Sequence, residues 1–283
     1  MPGQCLEYLA VRPDGVYLDA TAGMGGHTRA IAEKLTTGLV LACDRDQESL
    51  ERARENTAEY GSRIHYHKAS FSTLGEALAA EGNIQLDGLL ADLGVSRYQL
   101  TTPERGFSLM AEGPLDMRID RSQTVTAADI VNFEAEKQLA DLIYRFGEER
   151  RSRKIARAIV RARPISTTGQ LAKLIEEVSP RTGKIHPATQ TFQALRMAVN
   201  GELDELNALL ASIPGLVKPG GRAVLITFHS LEDRIVKQSF QAMARSGQAQ
   251  ILTRHVVRPD EEEVRNNAPS RSAKLRAIEV IRG

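Results

Sequence analysis

Two cysteines in 283 residues exclude a disulfide framework. Cys5 and Cys43 lack metal-ligand spacing, and Cys43 lies inside the apolar run Leu39-Val40-Leu41-Ala42-Cys43. A reducing cytosol suits such a chain, and no metal site is expected. One-sided charge is missing too. The formal net charge is +1, so any affinity for a polyanion must come from local clustering. No apolar stretch approaches the roughly 20 residues of a membrane helix, so no membrane partner is expected. The opening Met-Pro-Gly-Gln-Cys-Leu-Glu has no basic segment followed by an apolar one, so no signal peptide is expected. Low-complexity tracts and internal repeats are absent as well.

What remains is a chain with 42% hydrophobic residues, long for one domain and short for two average ones. Its first hundred residues alternate strand-like and helix-like segments. Strands are expected over Val16–Ala20, Leu39–Asp44, Ile64–Ala69 and Leu86–Asp92, with helices to about Leu35, over Gln47–Tyr60 and over Phe71–Ala80. Near-continuous apolar strands alternating with helices mean a parallel sheet covered on both faces. The alternation stops from about Pro103 to Val199. There Ala135, Leu139, Leu142, Ile143 and Phe146 recur at helical spacing. So do Leu171, Leu174, Ile175 and Val178, with Thr168 as N-cap and Pro180 as the stop. A strand over Arg222–Phe228 follows the turn Lys218-Pro219-Gly220-Gly221, and a helix runs from Glu232 to about Ala244. Ile251–Val257 and Leu275–Ile281 read as two strands without a helix between them, which predicts an antiparallel edge pairing. The expected architecture is an α/β domain over 1–103 and 200–283, split by an inserted helical domain over 104–199.

Asp19-Ala20-Thr21-Ala22-Gly23-Met24-Gly25-Gly26-His27 stands where the first strand turns into the first helix. Glycine there permits positive φ and close backbone approach, and the helix start offers free N–H groups. A glycine turn alone can be nothing more than a tight turn. Asp44 strengthens the case, because it ends the second strand 21 residues after Gly23, where a carboxylate can take both ribose hydroxyls. Asp92 ends the fourth strand on the same carboxyl edge of the sheet. Either aspartate could instead cap a turn or pair with a cation, but three motifs at neighbouring strand ends point to a nucleotide cofactor. The dinucleotide pattern Gly-x-Gly-x-x-Gly is not met, since Gly26 follows Gly25 directly and position 28 is Thr. That, with Asp19 before the turn and the antiparallel finish, favours S-adenosylmethionine over NAD. Phe71 can pack on adenine or be ordinary core. His27 can donate to the methionine carboxylate or merely cap the helix.

At these residues the chain resembles a known family. The segments Asp-Ala-Thr-Ala-Gly-Met-Gly-Gly-His-Thr (19–28), Asp-Leu-Gly-Val-Ser (92–96), Glu-Arg-Gly-Phe-Ser (104–108) and Gly-Pro-Leu-Asp-Met-Arg (113–118) look like the bacterial RsmH/MraW methyltransferases. So do His-Pro-Ala-Thr (186–189), Thr-Phe-Gln-Ala-Leu-Arg (191–196) and Phe-His-Ser-Leu-Glu-Asp-Arg-Ile-Val-Lys (228–237). The resemblance implies a class I, Rossmann-like methyltransferase sheet with an inserted all-helical domain. It implies methylation of N4 of a cytidine in the decoding region of 16S ribosomal RNA, with S-adenosylmethionine as donor. It also implies that Gly23, Gly25, Gly26, His27, Asp44, Phe71, Asp92 and Gln99 bind the cofactor. Two features depart from the family. Ser96-Arg97-Tyr98-Gln99 replaces the usual Ser-Ser pair but keeps the Gln, and the usual opening His-x-Pro-Val-Leu-Leu is absent, which reads as a truncated or rebuilt N-terminus.

An exocyclic cytosine amine is a poor nucleophile because its lone pair is delocalised into the ring. The protein must hold it in line and accept its hydrogen bonds as positive charge develops. Many amino-methyltransferases use Asp/Asn-Pro-Pro-aromatic after the fourth strand, whereas this chain has Asp92-Leu93-Gly94-Val95. Asp92, His229 and Ser230 are therefore the catalytic candidates, with Tyr98, Phe107, Phe228 and His229 available to support the base. Ser230 can equally cap the following helix. Asp116 and Arg118 belong either to a substrate loop or to a rigid hinge. Between Arg145 and Arg163 eight basic residues face two acidic ones, a balance of +6, and Arg150, Lys154, Arg157 and Arg161 recur on one predicted helix face. Such a run is usually a solvated face; its sign and place point to RNA docking through Arg150, Lys154 and Arg157, with 16S RNA or the small subunit as partner. The chain itself is expected to be a monomer or homodimer in the cytoplasm. Competing readings are another nucleotide-cofactor enzyme, such as an oxidoreductase, another nucleic-acid amino-methyltransferase, and a ribosome-assembly factor with a relic pocket.

Overall fold

The computed structural model describes residues 1–180 and 186–282. They form two compact units, one from residues 1–94 together with the chain from Leu203 onward, the other from Val95–Glu202. The chain thus leaves the first unit at Gly94 rather than at 103 and returns at Leu203 rather than at 200.

The first unit opens with α1 (Pro2–Leu9), β1 (Val16–Asp19), α2 (Gly26–Ala32), β2 (Leu39–Asp44), α3 (Gln47–Asn56), β3 (Ile64–Lys68), α4 (Leu74–Ala80) and β4 (Leu86–Asp92). The second unit is helical: α5 (Arg97–Thr101), α6 (Ala127–Phe133), α7 (Glu136–Gly147), α8 (Ser152–Ala162), α9 (Thr168–Val178) and α10 (Thr189–Val199). The first unit resumes with α11 (Glu202–Leu216), β5 (Val217–Thr227), α12 (Ser230–Arg245), β6 (Ala249–Ile251), α13 (Glu261–Asn266) and β7 (Lys274–Val280).

The sheet order is β3-β2-β1-β4-β5-β7-β6. Only β7 runs against the others, pairing antiparallel with both β5 and β6. Alternation along each strand sends side chains to two separate cores. Leu18, Leu41, Cys43, Leu89, Ala91 and Leu225 pack with α4, α11 and α12 on one face. Tyr17, Val40, Ala42, Leu90, Val224 and Ile226 pack with α1, α2 and α3 on the other. Burial pushes the Cys43 thiol up to about 12 and raises that of Cys5, so neither thiol is reactive at neutral pH. The helical unit has its own core, in which Leu139 and Ile143 of α7, Ile155 and Ile159 of α8, Leu171 and Ile175 of α9 and Phe192 of α10 meet.

Several local expectations need correction. The segment between the last two strands is not helix-free: β6 ends at Ile251, Val257 makes only an isolated bridge to Leu275, and α13 intervenes. Residues 71–73 form a 3-10 turn before α4 rather than its first turn. The cap of α9 is Thr167, whose hydroxyl accepts from the Gln170 N–H at 3.2 Å, while the Thr168 hydroxyl donates to Ala111 O at 2.8 Å. Among the described residues no helix is long and apolar enough to cross a membrane.

Candidate active site

The order of the sheet reverses between β1 and β4, and ligands of open α/β sheets bind outside the carboxyl ends of strands at such a switch point. The glycine turn leaves β1 there, with the end of β2 on one side and that of β4 on the other. Asp19 is fully buried and accepts from the Thr21 N–H at 3.1 Å and the Thr28 hydroxyl at 2.7 Å. Burial raises its pKa despite those donors. Its work is to bend the turn. Thr21 in turn accepts the Asp92 N–H on its hydroxyl at 2.7 Å, which ties the turn to the end of β4.

Gly23 and Gly25 adopt left-handed backbone, at φ 51° and 85°. A Cβ on Gly25 would stand 3.0 Å from Thr57 Cγ2 and 3.3 Å from the Ala53 backbone, whereas one on Gly26 would meet nothing within 4 Å. Gly25 is therefore needed for packing, and Gly26 faces open space at the start of α2. Asp44 accepts the Gly23 N–H at 2.8 Å and the Asp46 N–H at 2.9 Å, and each of its oxygens keeps a further lone pair. Burial pushes its carboxyl up to about 6.

Asp92 Oδ1 is buried and has no hydrogen-bond partner among the described residues. Its other oxygen stands 3.6 Å from His27 Nε2. Burial works to lower the His27 pKa, but Asp92 in contact and the charge of Asp19 raise it above the usual value. Beside them, the Leu93 N–H donates to Ile226 O at 2.9 Å, and a Cβ on Gly94 would lie 3.9 Å from the Phe228 ring. Asp92, His27 and Phe228 are thus gathered at the ends of β4 and β5. His229, not Ser230, is the N-cap of α12: its Nδ1 faces the Glu232 N–H at 3.5 Å. Its Nε2 lies 2.8 Å from Glu232 Oε1 but out of line for a hydrogen bond. Ser230 is the exposed first residue of the helix. Phe71 is half-buried and packs on the core shared by α4 and α11; the turn that carries it is held where Glu205 accepts from Ser72, at 2.9 Å from N–H and 2.8 Å from hydroxyl.

The remaining candidates lie in the helical unit. Gln99 Oε1 accepts the Ser96 N–H at 2.8 Å, closing a capping box on α5. Asp116 and Arg118 clamp each other through two contacts, of 2.7 and 2.8 Å. Burial would raise the Asp116 pKa, but the Arg118 guanidinium holds it below the usual carboxylate range. Around them Arg105 is buried and donates to Arg118 O and Ile119 O, while a Cβ on Gly106 would lie 2.1 Å from Pro114 O. This is rigid packing. Arg150 precedes α8 instead of riding on it, and Lys154 and Arg157 are exposed on the helix. Arg157 stands 3.4 Å from Glu136; Arg150, Arg153, Lys154 and Arg161 have no acidic partner among the described residues. Arg163 donates to the backbone oxygens of Val131 and Glu134, so it is structural. Thr21 and Thr28 carry the main contacts that the sequence reading left without a role.

The site fits S-adenosylmethionine: Gly26 leaves space at a helix start, Asp44 retains acceptor capacity, and Asp92 Oδ1 awaits a donor. The model of the MraW methylase family matches residues 1–281. The chain is 60% identical over 280 residues to the ribosomal RNA small subunit methyltransferase H of Solibacter usitatus, covering 99% of this chain and 98% of that one. It is 49% identical over 286 residues to the protein of the same description from Koribacter versatilis, covering 97% and 90%. A third, from Acidobacterium capsulatum, is 51% identical over 284 residues, covering 97% and 95%. The chain belongs to the MraW methylase family and is an S-adenosylmethionine-dependent methyltransferase.

Proposed function

We propose that this enzyme methylates N4 of a cytidine in the decoding region of 16S ribosomal RNA. The observation that carries the reading is the buried, unpartnered Oδ1 of Asp92 at the switch point of the sheet. When bound, S-adenosylmethionine supplies an electrophilic methyl group on its sulfonium. The N–H groups of the glycine turn and α2 would hold the carboxylate end, Asp44 the ribose hydroxyls and Phe71 the adenine. Asp92 Oδ1 would accept the hydrogen bond of the cytosine amine, drawing its lone pair out of the ring and stabilising positive charge as it grows on nitrogen. The same oxygen then takes the proton that the amine releases. His27 stands behind Asp92, 3.6 Å from its other oxygen, and orients the carboxylate. The Phe228 ring supplies a face for the base. His229 is engaged with Glu232 and acts by position, while Ser230, exposed at the start of α12, would present its hydroxyl to the nucleotide.

The helical unit supports RNA docking through the exposed cations of Arg150, Lys154 and Arg157, and the closed Asp116–Arg118 clamp serves as a rigid edge for the strand. Phosphate contacts of this kind supply most of the sequence-independent affinity, and the base must leave its stack to be reached. The test is labelled methyl transfer to small subunits that lack the modification, with the product mapped to a nucleotide. Label on N4 of one decoding-region cytidine is the expected result; label elsewhere, or none, refutes it.

A further inference from the structure

A cavity of about 310 Å³ lies between α12, the end of β6 and β7, outside the site already described. Lys237, Arg254 and Arg276 bring three cations to its lining, Thr253 a hydroxyl, and Phe240 and Ile251 an apolar floor; no carboxylate lines it. Arg276 is 9% exposed and is held by Asp233, through Nε to Oδ1 at 2.7 Å and Nη2 to Oδ2 at 3.2 Å. Lys274 stands 3.8 Å from the same carboxylate. One acid therefore faces two cations behind the cavity, while Lys237 and Arg254 are exposed and have no acidic partner among the described residues. The residual positive charge suits an oxyanion, and a pre-set guanidinium loses little freedom on binding one.

The position narrows the ligand. β6 runs parallel to β5, because both are antiparallel to β7, so it points toward the sheet edge that carries Asp92 and Phe228. Ile251 is level with Ala223 through Ile278, and Arg276 is level with Leu225, one residue short of Ile226 beside Asp92. At about 4.8 Å between neighbouring strands, β6 lies roughly 10 Å from β5 and about 14 Å from β4 across the sheet. The distance to Asp92 is about four nucleotides of stacked strand, at ~3.4 Å each. We propose that this cavity is a phosphate site that takes a backbone phosphate of the RNA strand carrying the target base, about four nucleotides from it. The inference rests on the reading of the substrate as RNA.

The test compares the full-length enzyme with its K237Q/R254Q variant and with a K34Q/R54Q control of equal net charge. Lys34 and Arg54 are exposed on the half of the sheet away from the cavity. Affinity for a single-stranded decoding-region RNA is measured across salt concentrations. K237Q/R254Q is expected to bind about tenfold more weakly and to lower the salt slope by about 0.7, the value for one lost phosphate contact. The control should match the unsubstituted enzyme, and S-adenosylmethionine affinity should be unchanged in all three. Equal loss in variant and control, or none in either, overturns the phosphate site while leaving RNA binding intact. Failure of the unsubstituted enzyme to bind the RNA overturns the RNA reading itself. A parallel titration with AMP distinguishes the sources of phosphate: AMP binding abolished by K237Q/R254Q with RNA affinity untouched would give the cavity to a free phosphoester and refute the assignment.

Discussion

Asp92 and Asp44 flank one glycine turn and differ in how their oxygens are occupied. The Asp44 oxygens already accept two backbone N–H groups, whereas Asp92 Oδ1 has no partner among the described residues. Removing Asp92 should therefore harm the reaction more than it harms binding. Asp92→Ala is expected to lower turnover by about a thousandfold, the scale of losing one preorganised polar contact, with S-adenosylmethionine affinity changed only a few-fold. Single-turnover transfer and calorimetry measure the two separately. Near-normal turnover would remove Asp92 from the mechanism. Asp44 predicts a pH effect, since burial lifts its carboxyl from 3.8 to about 6. A raised carboxyl binds its proton more readily folded than unfolded, so this group's contribution to the stability of the unliganded fold diminishes as pH rises from about 4 to about 6. Ribose binding needs the charged acceptor and should run the other way. Cofactor affinity is expected to weaken as pH falls through about 6, and Asp44→Asn should lose that dependence.

The turn and the helix behind it give two adjacent glycines opposite expectations. Gly25→Ala puts a Cβ at φ 85° against Thr57 and the Ala53 backbone, and should cost about 1–3 kcal/mol of stability. Gly26→Ala meets no atom and stands at the start of α2, so thermal stability should hold or rise slightly while S-adenosylmethionine affinity falls. A thermal melt and a binding isotherm on each variant check the contrast. A reading of the sequence sees both glycines as one motif. The strands β1 to β4 were legible because each is a short apolar run ending in a polar turn. α13 was not, because its six residues bury nothing and are fixed by a local cap, Asp260 accepting the Glu263 N–H at 2.7 Å. α1 was missed for a similar reason, since only Cys5 and Leu9 of its eight residues are buried. Lys218-Pro219-Gly220-Gly221 reads as a turn but forms an irregular stretch within β5, where Lys218 Nζ stands 2.6 Å from Asp87. Strand-end aspartates could be found by spacing. The Thr21 contact to Asp92 could not, because it joins residues 71 apart through the fold alone.

For the whole molecule, net charge says little and its distribution says more. Local excess on α8 and its approach should govern RNA affinity independently of the cofactor. An R150Q/K154Q/R157Q variant is expected to reduce the salt slope of RNA binding by about 2, at ~0.7 per contact, with cofactor affinity unchanged. An unaltered slope would reduce that face to ordinary solvated surface. Finally, β7 joins the sheet between β5 and β6 although it is the latest of the strands in the chain. During synthesis, residues 95–202 emerge as one continuous block and can fold while translation proceeds. The sheet that holds the methyl-transfer site must wait, with the edge of β5 unpaired, until about residue 280 has left the ribosome. A protein whose relatives are named for the small ribosomal subunit thus completes its own active domain only after its helical unit and the six other strands have left a ribosome.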